Sequence, residues 1–325
     1  MNKAVLLISF NRLDYVRKVF EQIKKAKPPR LYLASDGPRE YVENDKAKIE
    51  EVRNWLLNSI DWDCEVKTRF LEVNSGGCAY GVSGAVTWFF ENEKDGIILE
   101  DDCVPSQSFF RYCEELLDKY KNNKKVWHIT GYGYYQNDHA KETYYFAKIQ
   151  HCWGWASWAD RWKYYSLDLK GYNSDVVKLL SDRREVQNIL KDTFERLYIS
   201  EHKDTWDWQW TFIVGAHNGY CINPYKNLIS NIGIVGDHYK GKTDITNSLN
   251  TKTYEIENIV HPDSIKYNWK AINYIYEHHY SIPHKTLLKK IIQMLFSVKN
   301  EYSNNIKHKV ITILGIKMKF KIKNT

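Results

Sequence analysis

Three consecutive carboxylates, Glu100-Asp101-Asp102, follow the apolar run Ile97-Ile98-Leu99. The run reads as a buried strand, and open α/β sheets bind their ligands at the carboxyl ends of such strands. Adjacent carboxylates repel one another, and a divalent cation relieves that repulsion. Hard oxygen ligands suit Mn²⁺ or Mg²⁺, either of which can bridge the phosphates of a leaving nucleoside diphosphate. The bland alternative is a solvated loop capping a helix that starts near Ser106; the strand context favours the chemical one.

Two further strand ends should share this rim. Ser9-Phe10-Asn11-Arg12 follows the first predicted strand and Ser35-Asp36-Gly37-Pro38 the second. Asn11 and Arg12 are candidates to hold a donor, Arg12 by pairing with phosphate. Asp36 can accept a hydrogen bond from a base N–H, although Asp-Gly-Pro is also a turn signature.

Farther along, Asp207 sits among Trp206, Trp208 and Trp210, which can exclude water and raise a carboxyl pKa into the range of a general base. Asp204 is its nearest rival, and Asp207 also suits the first turn of a helix. His238, after the glycine-bearing run 231–236, is a candidate metal or phosphate contact on a lid, where a lone histidine is otherwise structural or exposed. Trp153, Trp155 and Trp158 surround Gly154 and offer either sugar platforms or core; Trp155 is the candidate for sugar contact.

The elements that would position these residues alternate at the start of the chain. Val5–Ser9, Leu31–Ser35, Val66–Val73 and Gly96–Leu99 read as strands, and Leu13–Lys25, Val42–Leu57 and Gly81–Phe90 as helices. This is the pattern of a mainly parallel sheet with crossover helices, an α/β fold of Rossmann-like type. From Val126 to Asn231 the pattern is mixed, with a strand at Trp127–Thr130 and a polar helix near Arg183–Arg196. Residues 233–250, rich in Gly, Thr, Asp and Asn, read as a loop. The expected division is a catalytic domain over 1–254 and a basic, helical appendage over 255–325.

Charge is concentrated in that appendage. Ten lysines and one acid, Glu301, between Lys285 and Lys323 contribute +9 to a net charge of +7, leaving the remainder near −2. A nearly neutral body with no nucleic-acid-binding signature argues against a nucleic-acid partner. Leu287, Leu288, Ile291, Ile292 and Leu295 recur at helical spacing beside lysines, and 317–323 alternates lysine with apolar residues at period two, as a half-buried edge strand or a surface-lying segment would. A basic amphipathic segment of this kind is attracted to an anionic membrane surface. The run Ala4–Phe10 is too short for a signal peptide or a membrane span, so the expected location is cytoplasmic, with peripheral docking on the inner face of the plasma membrane through the tail. The six cysteines form no C-x-x-C pair and read as reduced, mostly buried thiols.

The ordered pieces Leu99-Glu-Asp-Asp-Cys-Val-Pro-Ser-Gln-Ser-Phe-Phe110, Gly154-Trp155 and Trp206-Asp207-Trp208 resemble the GT-A nucleotide-sugar transferases. The likeness is to the N-acetylglucosaminyltransferase I type and its bacterial surface-polysaccharide relatives, over roughly residues 3 to 240. The resemblance implies that Asp102 coordinates the metal, Glu100 and Asp101 contact donor sugar and ribose hydroxyls, and Asp36 and Arg12 hold the nucleotide. It also implies an inverting transfer with Asp207 as the base. UDP-N-acetylglucosamine is the implied donor, with other UDP-hexoses left open. A glycan or lipid-linked glycan is the acceptor, in the assembly of a surface polysaccharide.

Other classes fit less well. A sugar-nucleotide pyrophosphorylase needs a glycine-rich phosphate loop where this chain has Phe10-Asn11-Arg12-Leu13, and no G-x-G-x-x-G follows any predicted strand. A non-enzymatic carbohydrate-binding protein would explain the aromatics but would not require the acidic triplet.

Overall fold

The computed structural model describes residues 1–233, 250–278, 280–282, 295–303, 306–313 and 316–321. The chain divides into two compact units, Met1–Ile275 and Tyr276–Thr325.

The first unit is built on an eight-stranded sheet. β1 (Ala4–Ser9) is almost wholly buried, as expected of an uninterrupted apolar run. α1 (Leu13–Ala26) follows, burying Val16, Val19, Phe20 and Ile23 on one stripe and ending at Lys27, whose φ of 49° caps it in the left-handed region. β2 (Arg30–Ser35), α2 (Asp45–Asn58), β3 (Glu65–Phe70), α3 (Cys78–Asn92) and β4 (Asp95–Glu100) continue the alternation. α2 begins three residues later than its hydrophobic pattern predicts, because Asn44 adopts a left-handed φ of 61° and Asp45 turns inward to Arg39.

β5 (Cys103–Pro105) and α4 (Gln107–Tyr120) lead to β6 (Val126–Thr130), β7 (Tyr144–Ala147) and β8 (Trp155–Trp158). Then come the short α5 (Ala159–Trp162) and α6 (Val176–Leu180), α7 (Arg184–Ile199), α8 (Asp207–Ala216), β9 (Tyr220–Pro224), β10 (Ile229–Asn231) and α9 (Trp269–His278). The sheet runs β3-β2-β1-β4-β8-β6-β9-β7. Its first four strands are parallel, and β8 and β7 enter antiparallel, so the sheet is mixed in its second half.

The order β3-β2-β1-β4 decides where a ligand can sit. The chain winds outward from β1 on one side and returns to pair β4 on the other, with Ile8 opposite Glu100. The carboxyl ends of β1 and β4 therefore flank a topological switch point, the crevice that open α/β sheets use for ligands. The expected mainly parallel α/β architecture is observed here.

Residues 255–268, expected in the appendage, pack on the first unit. The Glu255 carboxylate accepts hydrogen bonds from the Gln107 and Ser108 backbone at the start of α4, and Asn268 bonds to Phe146 and Tyr225. The described part of the second unit corrects the expectation of a helical appendage. It holds a three-stranded antiparallel sheet, β11 (Phe296–Ser303), β12 (Ile306–Ile313) and β13 (Ile316–Lys321), with β13 at an edge as the lysine alternation suggests. The predicted amphipathic helix over 287–295 lies, but for Leu295, outside the described residues. Among the described residues no helix is long and apolar enough to cross a membrane.

Candidate active site

Arg12, at the position just before α1, is drawn across the switch point to the acidic triplet. Its guanidinium pairs with both oxygens of Asp101 and, at 2.9 Å, with Asp102 Oδ2. Asp101 is only 5% exposed. Burial pushes its carboxyl up to about 6 against the pull of Arg12, and the Asp102 charge adds to the rise. Burial also works against the Arg12 charge, but the two aspartates outweigh it and hold the guanidinium more firmly protonated than usual.

Glu100 is raised well above the usual carboxylate range, first by burial and then by the charges of Asp102, Asp101 and Asp207. These effects locate Asp207 within electrostatic reach of the triplet, so residues more than a hundred positions apart form one acidic site. Asp207 opens α8, where Thr205 Oγ1 donates to its carboxylate, as do the backbone N–H groups of the first turn. Burial nonetheless raises its pKa, the environment expected of a general base. Asp204, the rival, is exposed and pairs with Arg196.

β5 and β10 close the site on another side. They pair Cys103 with Asn231; the Ile232 backbone N–H donates to the Asp102 carbonyl, and Asn231 Nδ2 lies 3.5 Å from Asp102 Oδ1. A Cβ on Gly233 would press on Asp102 Oδ2, so a side chain there would have to displace the carboxylate. His238 lies outside the described residues.

Other predicted site residues are placed differently. Asn11 donates its amide to Asp45, which also takes Arg39, so that side chain braces the loop after β2. Asp36 accepts from the Gly37 and Ser75 backbone, from Ser75 Oγ and from Asn74 Nδ2. Four donors match the acceptor capacity of a carboxylate, so Asp36 staples its own turn to the segment before α3. Trp155 requires a correction. It is 0% exposed, packed at 5.2 Å on His128 and at 5.5 Å on Trp206. Its ring is core, because β8 runs inside the sheet between β4 and β6 and is buried along its whole length, leaving no face of the ring for a sugar.

Several neighbours had not been singled out. Gly76 and Gly77, both at positive φ, turn the chain into α3 and deliver Cys78 to the site, where burial and the charges of Glu100 and Asp207 raise its thiol. The Gly-Gly pair was a legible signal; Thr205 carried none. An open groove of about 460 Å³ runs along α3, lined by Arg69, Tyr80, Trp88 and Tyr165 among others. Tyr165 donates its hydroxyl to the Trp206 carbonyl, directly before Asp207, so the groove borders the site.

No protein-family model matches the sequence, and no curated protein does. Solved structures share the general fold at low similarity. The galactosyltransferase LgtC, in complex with donor and acceptor sugar analogs, is 10% identical with a TM-score of 0.37, over 88% of this chain and 99% of that one. Mouse xyloside xylosyltransferase 1 is 13% identical with a TM-score of 0.35, over 67% and 83% respectively. A UDP-glucose pyrophosphorylase complexed with UDP-glucose is 10% identical with a TM-score of 0.30, over 67% and 98%. Scores this low decide nothing about activity.

Proposed function

We propose that this protein is a nucleotide-sugar glycosyltransferase of GT-A type, and that the acidic cluster at the switch point is its active site. One observation carries the reading: Asp101 and Asp102, next to Glu100, pair with Arg12 at the carboxyl ends of β4 and β1, and Asp207 on α8 lies within electrostatic range of Glu100. A surplus of carboxylates held by a single guanidinium calls for a further cation.

The residues fit Mn²⁺ or Mg²⁺. Their donors are hard oxygens, and Glu100 is driven toward its neutral form by its neighbours' charges, a stress that a divalent ion would relieve. Among the described residues no three acidic, histidine or cysteine side chains form a ready cage; an ion of this kind is commonly held by one or two carboxylates together with substrate phosphates. In this reading Asp102 holds the ion, which neutralises charge on the leaving diphosphate.

The chain's own groups do the rest. Arg12 pairs with donor phosphate, while Glu100 and Asp101 accept hydrogen bonds from donor hydroxyls. Asp207, oriented by Thr205, takes the proton of an acceptor hydroxyl as that oxygen bonds to the anomeric carbon. The bond from that carbon to the diphosphate oxygen breaks on the opposite face, and the anomeric configuration inverts. UDP-N-acetylglucosamine is the proposed donor, by the motif likeness to N-acetylglucosaminyltransferase I. The acceptor is a glycan or lipid-linked glycan approaching along the α3 groove, in polysaccharide assembly.

Calorimetric titration with UDP, with and without Mn²⁺, tests the site. Binding should be strengthened by the ion in the wild type and lose that dependence in Asp102→Ala. Ion-independent binding in both proteins would remove the metal role from Asp102.

A further inference from the structure

The described sheet of the second unit has one open apolar face. In an antiparallel sheet, directly paired residues point to the same side, and so do residues two apart on a strand. By the register of the three strands, Phe296, Ile311, Ile313, Ile316, Met318 and Phe320 all lie on one side. Phe296 is 52% exposed, Ile316 69% and Phe320 50%, so large apolar side chains stand in solvent on both outer strands. On the other side Val310 is 5% exposed. The apolar face is the open one, the reverse of what solubility alone would select.

Charge says what covers the open face. Lys309 lies on that face opposite Phe320 and is exposed, and Lys317 and Lys319 are exposed on the other face of the edge strand β13. They belong to a stretch with ten lysines and one acid. A second copy of the chain would bring an equal positive charge against this one. We infer that the face docks flat on an anionic membrane, with Phe296, Ile316 and Phe320 entering the headgroup region, Lys309 of β12 reaching phosphate, and Lys317 and Lys319 of β13 adding their charge from the far side. A sheet with its side chains is comparable in thickness to a Debye length of ~8 Å, so lysines on the far side also feel the surface. The inference is independent of the transferase reading and places no weight on the segment over 283–294.

Co-sedimentation of the full chain with phosphatidylcholine vesicles, with and without phosphatidylglycerol, tests it. Partitioning should be at least about tenfold stronger on the anionic vesicles and should fall as salt screens the lysines. Ile316→Asn with Phe320→Asn should weaken it by roughly tenfold or more. Lys309→Glu with Lys317→Glu should abolish the lipid preference, with thermal unfolding unchanged in both doubles because every position is exposed. Equal binding to both vesicle types, or unchanged binding by the apolar double, overturns the inference. So does a dimer in sedimentation velocity that the apolar double dissolves.

Discussion

Replacing Arg12 by Met tests the electrostatics of the site without reference to any substrate. Asp101 and Asp102 would keep their places and lose the guanidinium between them. Breaking a buried pair by removing one partner costs ~3–5 kcal/mol; Arg12 retains 27% exposure, which favours the lower end. The wild-type site already carries a burden of comparable size. Even with Arg12 present the Asp101 carboxyl moves from 3.8 to about 6, and at ~1.4 kcal/mol per unit this burden is already on the order of 3 kcal/mol at neutral pH. The sign follows from the raised value. Stability from this group is complete below the ordinary carboxylate pKa and is lost as pH rises through about 6. Without Arg12 the loss extends to higher pH and grows. Differential scanning calorimetry near pH 8 should therefore show Arg12→Met melting roughly 6–12 °C below wild type, at ~2–4 °C per kcal/mol for a unit of this size. Near pH 5 the Asp101 carboxyl is protonated, and the gap should close to a few degrees at most. A gap equal at both pH values, or absent near pH 8, would refute the reasoning.

Three further outcomes follow from the same geometry. Glu100→Gln removes a carboxylate whose charge the site disfavours, so the variant should gain stability above neutral pH and lose that advantage in acid, read by urea unfolding at both. Gly154→Ala should cost roughly 2–4 kcal/mol in urea unfolding, because φ is +58° and a Cβ would strike the Ile229 side chain beneath the site. Trp155→Phe should destabilise the fold measurably and leave the KM for donor unchanged, since the ring is buried among aromatics; a raised KM with intact stability would restore its sugar contact.

Much of the site was legible because it lies where strands end. The apolar runs of β1 and β4 place Arg12 and the acidic triplet on one rim as soon as the sheet is parallel, and the register of Ile8 with Glu100 realises it. Asp207 was legible through its aromatic neighbours. What escaped was decided by pairing across distance. Asp36 had the right type and position, but Asn74 and Ser75, from the end of the next crossover, reach its oxygens. Trp155 was misread because β8 is an interior strand of the sheet, buried on both faces, and a four-residue run does not report what lies over it. In the tail, lysine alternation correctly pointed to an edge strand, whereas the hairpin partners that make it a sheet carry no turn motif strong enough to announce them.

The most direct test of the central claim is release of nucleoside diphosphate from a panel of sugar nucleotides, with Mn²⁺ or with chelator, by wild type, Asp102→Ala and Asp207→Asn. The account predicts turnover of one donor that requires the ion, is abolished by Asp102→Ala, and falls ~10²–10⁴-fold in Asp207→Asn when acceptor is present. No turnover of any donor, with sugar binding unchanged in both variants, would contradict it and leave a carbohydrate-binding protein.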